Sequence, residues 1–235
     1  MQGIYELGEQ YEFKIIEDAS NAIGGNYQNE PVGNSRYSDV TVLSFYPVKI
    51  ITTGEGGMAL TKDQEIHEHM KRLRSHGITS NSKHMTIESR EPWYHEHIEM
   101  GFNCRMTVVH AVMELSQLER LVEFVVQRNE LTQNYEEAFA DDPIQMQVVP
   151  EETYSARHLY VIRAPKHQHL SLFEKFRGEG IGINLHYMPV HLQPYYWKLG
   201  FQEGDFPEAK KYGKEAIRLP MYLKLSAENK IECLP

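Results

Sequence analysis

Lys49 lies in the stretch Ser44-Phe45-Tyr46-Pro47-Val48-Lys49, which runs on into Gly54-Glu55-Gly56-Gly57. It follows an apolar run, Val40 to Phe45, that reads as a buried strand, and strand ends are where α/β folds place their chemistry. Flanked by Val48, Ile50 and Ile51, Lys49 is expected to be desolvated, which lowers its pKa and leaves the amine nucleophilic. A Schiff-base lysine needs this, although a solvated loop lysine is the commoner outcome of such a local sequence. Asp18 supplies a second group, at the C-terminal end of the run Lys14-Ile15-Ile16-Glu17-Asp18. Pyridoxal phosphate requires a lysine to hold it and a carboxylate to keep its ring nitrogen protonated. An Asp ending one strand and a Lys just after another could meet both needs, while Asp18 taken alone is more readily a turn or helix cap.

Further groups flank this pair. The Ser44 hydroxyl, five residues before the lysine, could bind a phosphate, and the Gly54–Gly57 turn offers backbone that can approach a ligand closely. An ordinary hairpin turn also explains those glycines. No Gly-Lys-Ser/Thr follows, so this is not a P-loop. The histidines offer a rival: Tyr94-His95-Glu96-His97, and His186 with His191, could ligate a metal. No HExxH and no His/Cys set with zinc spacing is present, so no metal site is expected. The aromatic loop Tyr187-Met188-Pro189-Val190-His191-Leu192-Gln193-Pro194-Tyr195-Tyr196-Trp197 could stack a sugar or a nucleobase, or equally cover a lobe.

Elements that would position these groups follow from the pattern of apolar residues. A helix over 2–12 has Ile4, Leu7 and Tyr11 at helical spacing. A short buried strand, 14–18, precedes a turn of small residues, 19–25, and a hairpin-like segment through Tyr27 and Val32-Gly33. Strands at Val40–Phe45 and Gly57–Thr61 bracket the lysine loop. An amphipathic helix from Asp63 to Ser75 puts Ile66, Met70 and Leu73 on one face, with Asp63 near the positive end of its dipole. Residues 76–103 read as a long, irregular surface loop, a length that often signals function. Met106 to Ala140 reads as one extended helix long enough to cross between two lobes, with the domain boundary near residue 120. Beyond Pro143 the pattern predicts strands at 145–149, 157–163 and 181–186 and helices at 169–178 and 207–217. A final helix opens at Ser226.

Composition bounds the function classes. The 235 residues carry 33 acidic against 24 basic side chains, a net charge of −9, which argues against nonspecific binding to nucleic acid or to an anionic membrane. No apolar run is long enough to span a bilayer, and the first residues lack the pattern of a signal peptide. Two cysteines, Cys104 and Cys233, form no CxxC, so a reducing cytoplasm is expected.

At these residues the chain resembles the sugar-nucleotide aminotransferases of the DegT family, fold-type I pyridoxal phosphate enzymes. Glu17-Asp18-Ala19-Ser20 is similar to the family's Glu-Asp-Ala-Ala/Ser motif. Ser44-Phe45-x-x-x-Lys49 and Thr52-Thr53-Gly54-Glu55-Gly56-Gly57 resemble its lysine loop. Arg74-Ser75-His76-Gly77, Gly101-Phe102-Asn103-Cys104-Arg105-Met106 and Leu115-Ser116-Gln117-Leu118 match in order. The run Asn184 to Tyr196 is most like the branch that makes UDP-4-amino-4,6-dideoxy-N-acetyl-β-L-altrosamine, on the way to pseudaminic acid. The likeness extends over almost the whole chain.

The resemblance implies an α/β fold: a partial fold-type I transferase with the back half of the large cofactor domain in residues 1–120 and a small C-terminal α/β domain in 121–235. It implies that Lys49 is the Schiff-base lysine and moves the proton between the donor and the sugar. Asp18 would pair with the pyridine nitrogen, Asn21 would lie beside the ring and Ser44 would hold the phosphate. Asn103 would reach the cofactor phosphate of the neighbouring subunit, so a homodimer is implied. Asn184, Leu185, His186 and Tyr187 would line the sugar-nucleotide pocket. Glutamate is the implied amino donor, and a UDP-4-keto-6-deoxy-hexose the acceptor.

The chain departs from the family pattern at Asn21, where His or Gln is usual and where the shorter side chain is expected to lose its contact. It departs also at Tyr46, where His is usual, and at Val108-Val109, where an Asp-Ile type pair is common. By the same resemblance Met1 falls well inside the family's length. A phosphate-binding turn at a helix N-terminus and an aromatic residue that stacks on the cofactor would lie before it, and the last helix is expected to be trimmed. The rival expectation is a non-catalytic remnant that associates with a full-length relative through exposed sheet edges. Dehydratase-like relatives carry His in place of the lysine, so Lys49 argues against that class.

Overall fold

The computed structural model describes residues 1–87 and 91–225. The chain divides into two compact units, Met1–Leu121 and Val122 onward.

In the first unit, α1 (Gln2–Tyr11) closes on Glu12, whose left-handed backbone (φ 56°) lets the chain turn back. The strands β1 (Ile16–Asp18), β4 (Val40–Ser44) and β5 (Gly57–Leu60) form one sheet in the order β1-β4-β5. β1 runs parallel to β4, and β5 antiparallel to it. Thr41, Leu43 and Phe45 alternate into the core on one face of β4, and Ile50 and Ile51 join them from the lysine loop. β1 is not the buried strand that its apolar run predicts. It is an edge of this sheet, and Ile16 is 72% exposed. A two-residue hairpin, β2 (Asn26–Tyr27) and β3 (Glu30–Pro31), turns through Gln28 and Asn29, both with positive φ. The helix α2 (Gln64–Arg74) starts where Asp63 accepts from the N–H groups of Glu65 (2.8 Å) and Ile66 (2.9 Å), the usual service of an N-cap carboxylate.

The stretch 76–103 is less irregular than its polar sequence suggests. β6 (Ile78–Thr79) pairs with β7 (Glu96–His97). The buried Glu96 carboxylate gathers the intervening chain, accepting from Thr86 N–H (2.7 Å), Thr86 Oγ (2.8 Å), Ile87 N–H (2.7 Å) and Tyr94 OH (3.2 Å). Those bonds hold its carboxyl below the usual range against the opposing effect of burial.

The single helix expected from 106 to 140 is two. α3 (Val108–Leu118) is capped by Thr107, and α4 (Leu121–Ala138) begins after an interruption at Glu119 and Arg120. There the Arg120 N–H turns to Gln117 O, three residues back. Apolar periodicity cannot reveal the interruption, because Leu118 and Leu121 keep helical spacing across it.

In the second unit, α4 presents Leu131, Tyr135 and Phe139 to a core completed by Tyr160, Ile162, Phe176, Ile181, Ile183, Ile217 and Leu219. Tyr135 stacks on Tyr160 with centroids 5.2 Å apart. After a two-residue strand, β8 (Thr153–Tyr154), the core strands are β9 (Tyr160–Arg163) and β10 (Ala216–Leu219), antiparallel, with α5 (His169–Gly178) between them in sequence.

Three expectations fail in this unit. Gln145 makes one isolated bridge to Arg163, and Val148 is 86% exposed, so 145–149 is not a strand. The segment 181–186 is not extended either, because Ile183 N–H bonds back to Ile181 O (2.9 Å) and only Asn184 bridges to β10. The helix expected to reach 217 stops at Gly213 as α7 (Pro207–Gly213), and Ala216–Leu219 becomes β10. Lys, Glu, Ala and Leu favour helix, but pairing with β9 and burial override that preference. A short turn, α6 (Pro194–Trp197), lies within the aromatic loop. The helix expected at Ser226 lies outside the described residues. Among the described residues, no helix is long and apolar enough to cross a membrane.

Candidate active site

The sheet register decides which side chains meet. Asp18 lies opposite Val42, and Glu17 opposite Thr41. Side chains in register share a face, and alternate residues on a strand share it too. Asp18, Val42 and Ser44 therefore occupy one face near the C-terminal ends of β1 and β4. Glu17 and Thr41 occupy the other, where Thr41 Oγ donates to Glu17 at 3.0 Å.

Lys49 follows on the loop after β4. That loop is closed at its base, where Phe45 O accepts from both Thr53 N–H (3.0 Å) and Thr52 Oγ (2.9 Å). Within it, Lys49 N–H bonds Tyr46 O (2.9 Å), and Ile50 and Ile51 are buried at 5% and 0% exposure. Lys49 is less enclosed than its apolar flanks predict: its side chain is half-buried, and Val48 is 60% exposed. The apolar neighbours anchor the loop rather than wrap the amine, because Ile50 and Ile51 pack inward.

Lys49 Nζ donates to Asn21 Oδ1, so Asn21, set by the turn after β1, reaches the lysine itself. Asp18 accepts from Ser20 N–H at 3.0 Å. The Ser20 hydroxyl and N–H hold the Asp18 carboxyl below its ordinary range. Partial desolvation opposes them and the Lys49 charge reinforces them. The structure thus brings Asp18, Asn21 and Lys49 into one electrostatic group. Ser44 ends β4 on the same face as Asp18, half-buried, with Tyr46 N–H against its Oγ at 3.5 Å. The Gly54 N–H donates to Thr52 Oγ at 2.9 Å, and Gly54 itself has φ +83°, a left-handed turn that suits glycine.

Asn103 is not joined to this group by any bond. It lies on an exposed segment fastened to the end of α2, with a bridge to Ser75 and with Cys104 N–H on Arg74 O (3.0 Å). Asn184, Leu185, His186 and Tyr187 belong to the second unit. Asn184 exchanges backbone bonds with Arg218 (2.7 and 3.3 Å), and its Oδ1 accepts from Leu185 N–H (2.8 Å). His186 packs on Tyr187 at 4.3 Å between centroids. Burial, and then the Arg218 charge, push its pKa down, which keeps the ring neutral. Tyr187 is 69% exposed.

Glu96 spends its oxygens on the loop, and among the described residues no group of three His, Cys, Asp or Glu side chains could hold a metal. The site contains one residue that reasoning from chemistry did not single out. Gln117, on α3, accepts from Thr52 N–H at 3.2 Å through Oε1 and donates to Thr52 O through Nε2. Its sequence signal was its place in the run Leu115-Ser116-Gln117-Leu118, which resembles the family's pattern but assigns the glutamine no role.

These observations fit a pyridoxal phosphate protein. An ionised carboxylate matches a protonated pyridine nitrogen, a primary amine lies in its field, and a hydroxyl and a glycine turn flank them. Comparison with known proteins agrees. The chain is 30% identical over 233 residues to a UDP-4-amino-4,6-dideoxy-N-acetyl-beta-L-altrosamine transaminase of Campylobacter jejuni, covering 97% of this chain and 59% of the relative. It superimposes on the PLP-form of a putative sugar aminotransferase, Spr1654, from Streptococcus pneumoniae. The TM-score is 0.83 at 28% identity, over 96% of this chain and 57% of that one. It superimposes on Helicobacter pylori PseC, an aminotransferase involved in the biosynthesis of pseudoaminic acid, with a TM-score of 0.86 at 28% identity, over 99% of this chain and 60% of that one. The architecture is therefore part of the fold-type I aminotransferase fold, and the chain spans about 60% of the length of the curated relatives it matches. A family model described as the DegT/DnrJ/EryC1/StrS aminotransferase family matches residues 1–233, and the chain belongs to that family.

Proposed function

We propose that this chain carries the lysine half of a pyridoxal phosphate site that transfers an amino group to a UDP-4-keto-6-deoxy-hexose. The amino donor is glutamate, and the product lies on the route to pseudaminic acid. The observation that carries the reading is the electrostatic group of Asp18, Asn21 and Lys49 at adjacent strand ends. The relatives named above support the nucleotide-sugar class and the pathway. When bound, the cofactor supplies an electron sink for the carbon that loses or gains a proton.

The chain's own residues divide the remaining work. Lys49 holds the cofactor and, once free, carries the proton at Nζ between donor and acceptor. Asp18, kept ionised by Ser20, holds the pyridine nitrogen in its charged form. Asn21 holds Nζ on the Asp18 side of the loop by accepting its hydrogen bond. Ser44 and the Gly54–Gly57 backbone take the phosphate. Asn103 serves the cofactor of a second copy, which makes the working form a homodimer in the cytoplasm. Residues 184–187 contact the sugar nucleotide, with neutral His186 as a hydrogen-bonding partner rather than a charge. In this reading residues 1–120 are the partial large domain and residues 121–235 the small domain.

The second reading is a non-catalytic remnant that works only with a full-length partner. It is favoured by the exposed apolar side chains of α3, with Val108 at 79% and Val109 at 68% exposure. One experiment separates the two. The purified chain is mixed with pyridoxal phosphate, reduced with borohydride and digested. An adduct on Lys49, absent from Lys49→Ala, is the expected result. Label spread over several lysines, or unchanged in Lys49→Ala, would sink the assignment and leave the remnant.

A further inference from the structure

We propose that Gln117 is a positioning residue for Lys49, its carboxamide clamping both backbone groups of Thr52 and so fixing the limb that returns from the lysine loop. The inference rests on the reading of Lys49 as the reactive amine. The loop has two fastenings. One is internal to the strand region, where Phe45 O takes Thr53 N–H and Thr52 Oγ. The other comes from α3, 65 residues further along the chain: Gln117 accepts the Thr52 N–H and donates to the Thr52 carbonyl.

Only an uncharged carboxamide serves both bonds, since it presents an acceptor and a donor on one planar group. Glutamate would accept but not donate, and methionine would do neither. Met113 O also lies 3.4 Å from Nε2, which ties the same group to its own helix. Without the clamp, two half-buried backbone groups would lose their partners, an outcome proteins avoid. The limb they belong to begins three residues after Lys49. Besides the bonds to Phe45 O, this part of the loop is anchored by the buried side chains of Ile50, Ile51 and Thr53. Gln117 therefore sets where the loop ends relative to α3, and a small tilt there is amplified at the tip of a long side chain. Misplacement of a reacting group by about 1 Å is enough to cost on the order of a hundredfold in rate.

The test compares the whole chain with Gln117→Met, which keeps length and loses both bonds, and Gln117→Glu, which keeps the acceptor alone. Three readouts are taken: amide hydrogen exchange resolved to Thr52, the rate of Lys49 acetylation by acetic anhydride relative to lysines of the second unit, and the yield of borohydride-trapped pyridoxal phosphate on Lys49. In Gln117→Met, Thr52 exchange is expected to rise about tenfold or more, with Tyr160–Arg163 unchanged. Lys49 acetylation should shift about threefold or more, and the trapped adduct should fall about tenfold. In Gln117→Glu, Thr52 N–H keeps its acceptor and its slow exchange, while both Lys49 readouts still move. Parent-like Thr52 exchange and Lys49 acetylation in Gln117→Met overturn the proposal. So does faster exchange along α3 with the Lys49 readouts unmoved, which would make Gln117 a helix anchor only. If Gln117→Met does not fold, the proposal stands or falls on the Lys49 readouts of Gln117→Glu. If the parent itself yields no trapped adduct, the pyridoxal phosphate reading fails, and exchange with acetylation still decides the clamp.

Discussion

At the scale of single residues, Asp18 and Glu114 show how environment assigns opposite behaviour to two carboxyls. Asp18 is exposed, yet hydrogen bonds from Ser20 and the nearby Lys49 charge keep it ionised. Asp18→Asn should weaken pyridoxal phosphate binding by roughly tenfold or more, the scale of one charge-assisted hydrogen bond. An absorbance titration measures this, and unaltered affinity would remove Asp18 from the site. Glu114 is the one buried residue of α3, and burial alone raises its pKa. A carboxyl with a raised folded pKa contributes stability that is intact below its unfolded pKa and is lost as pH rises through the folded value. Glu114→Gln should therefore raise the urea midpoint at pH 8, by about 1 kcal/mol in stability, and change little at pH 4. An equal gain at both pH values would contradict the sign of that shift.

At the scale of elements, the lysine site depends on caps and turns rather than on long strands. Asp63 satisfies two N–H groups at the start of α2, and Asp63→Ala should cost about 1 kcal/mol in a denaturant melt. The end of α2 is held differently. Gly77 has φ +71°, and a Cβ built there would sit 1.8 Å from Glu99 O. Gly77→Ala should cost about 3 kcal/mol or more, seen as a large drop in unfolding midpoint; a drop of a degree or two would mean that the backbone gives way freely. Glu99 is also gripped by Arg72 Nε (2.7 Å) and His69 Nε2 (2.8 Å), so the segment leading to Asn103 is fastened to α2 by both backbone and charge. The lysine loop itself was legible because Ser, Lys and Gly at short spacing carry chemical meaning. Its clamp was not, since Gln117 and Thr52 are remote in sequence and neither residue type announces a contact.

At the scale of the whole molecule, each unit carries its own core, but the apolar surface is unevenly covered. The second unit buries Tyr135, Tyr160, Phe139 and Phe176 at 2% exposure or less. The first leaves Val108, Val109, Val112 and Leu115 of α3 between 59% and 79% exposed. Contiguous apolar surface of this kind marks an interface. The chain alone should therefore sediment faster than a monomer, and Val109→Lys with Leu115→Lys should move it toward monomer mass. Monomeric behaviour of the parent would show that the α3 face needs no cover.

By itself the sequence determined the order of most elements, the Asp18 and Lys49 strand ends and the family, because local periodicity and short motifs are properties of neighbouring residues. It also marked Asn21 as a departure. Only the tertiary structure decided that Asn21 bonds Lys49, that Ile16 faces outward on an edge strand, and that Ala216–Leu219 pairs with Tyr160–Arg163 instead of extending α7. Each of those outcomes depends on a partner far along the chain. Burial and strand pairing, worth more than local preference, choose among conformations that the local sequence leaves open.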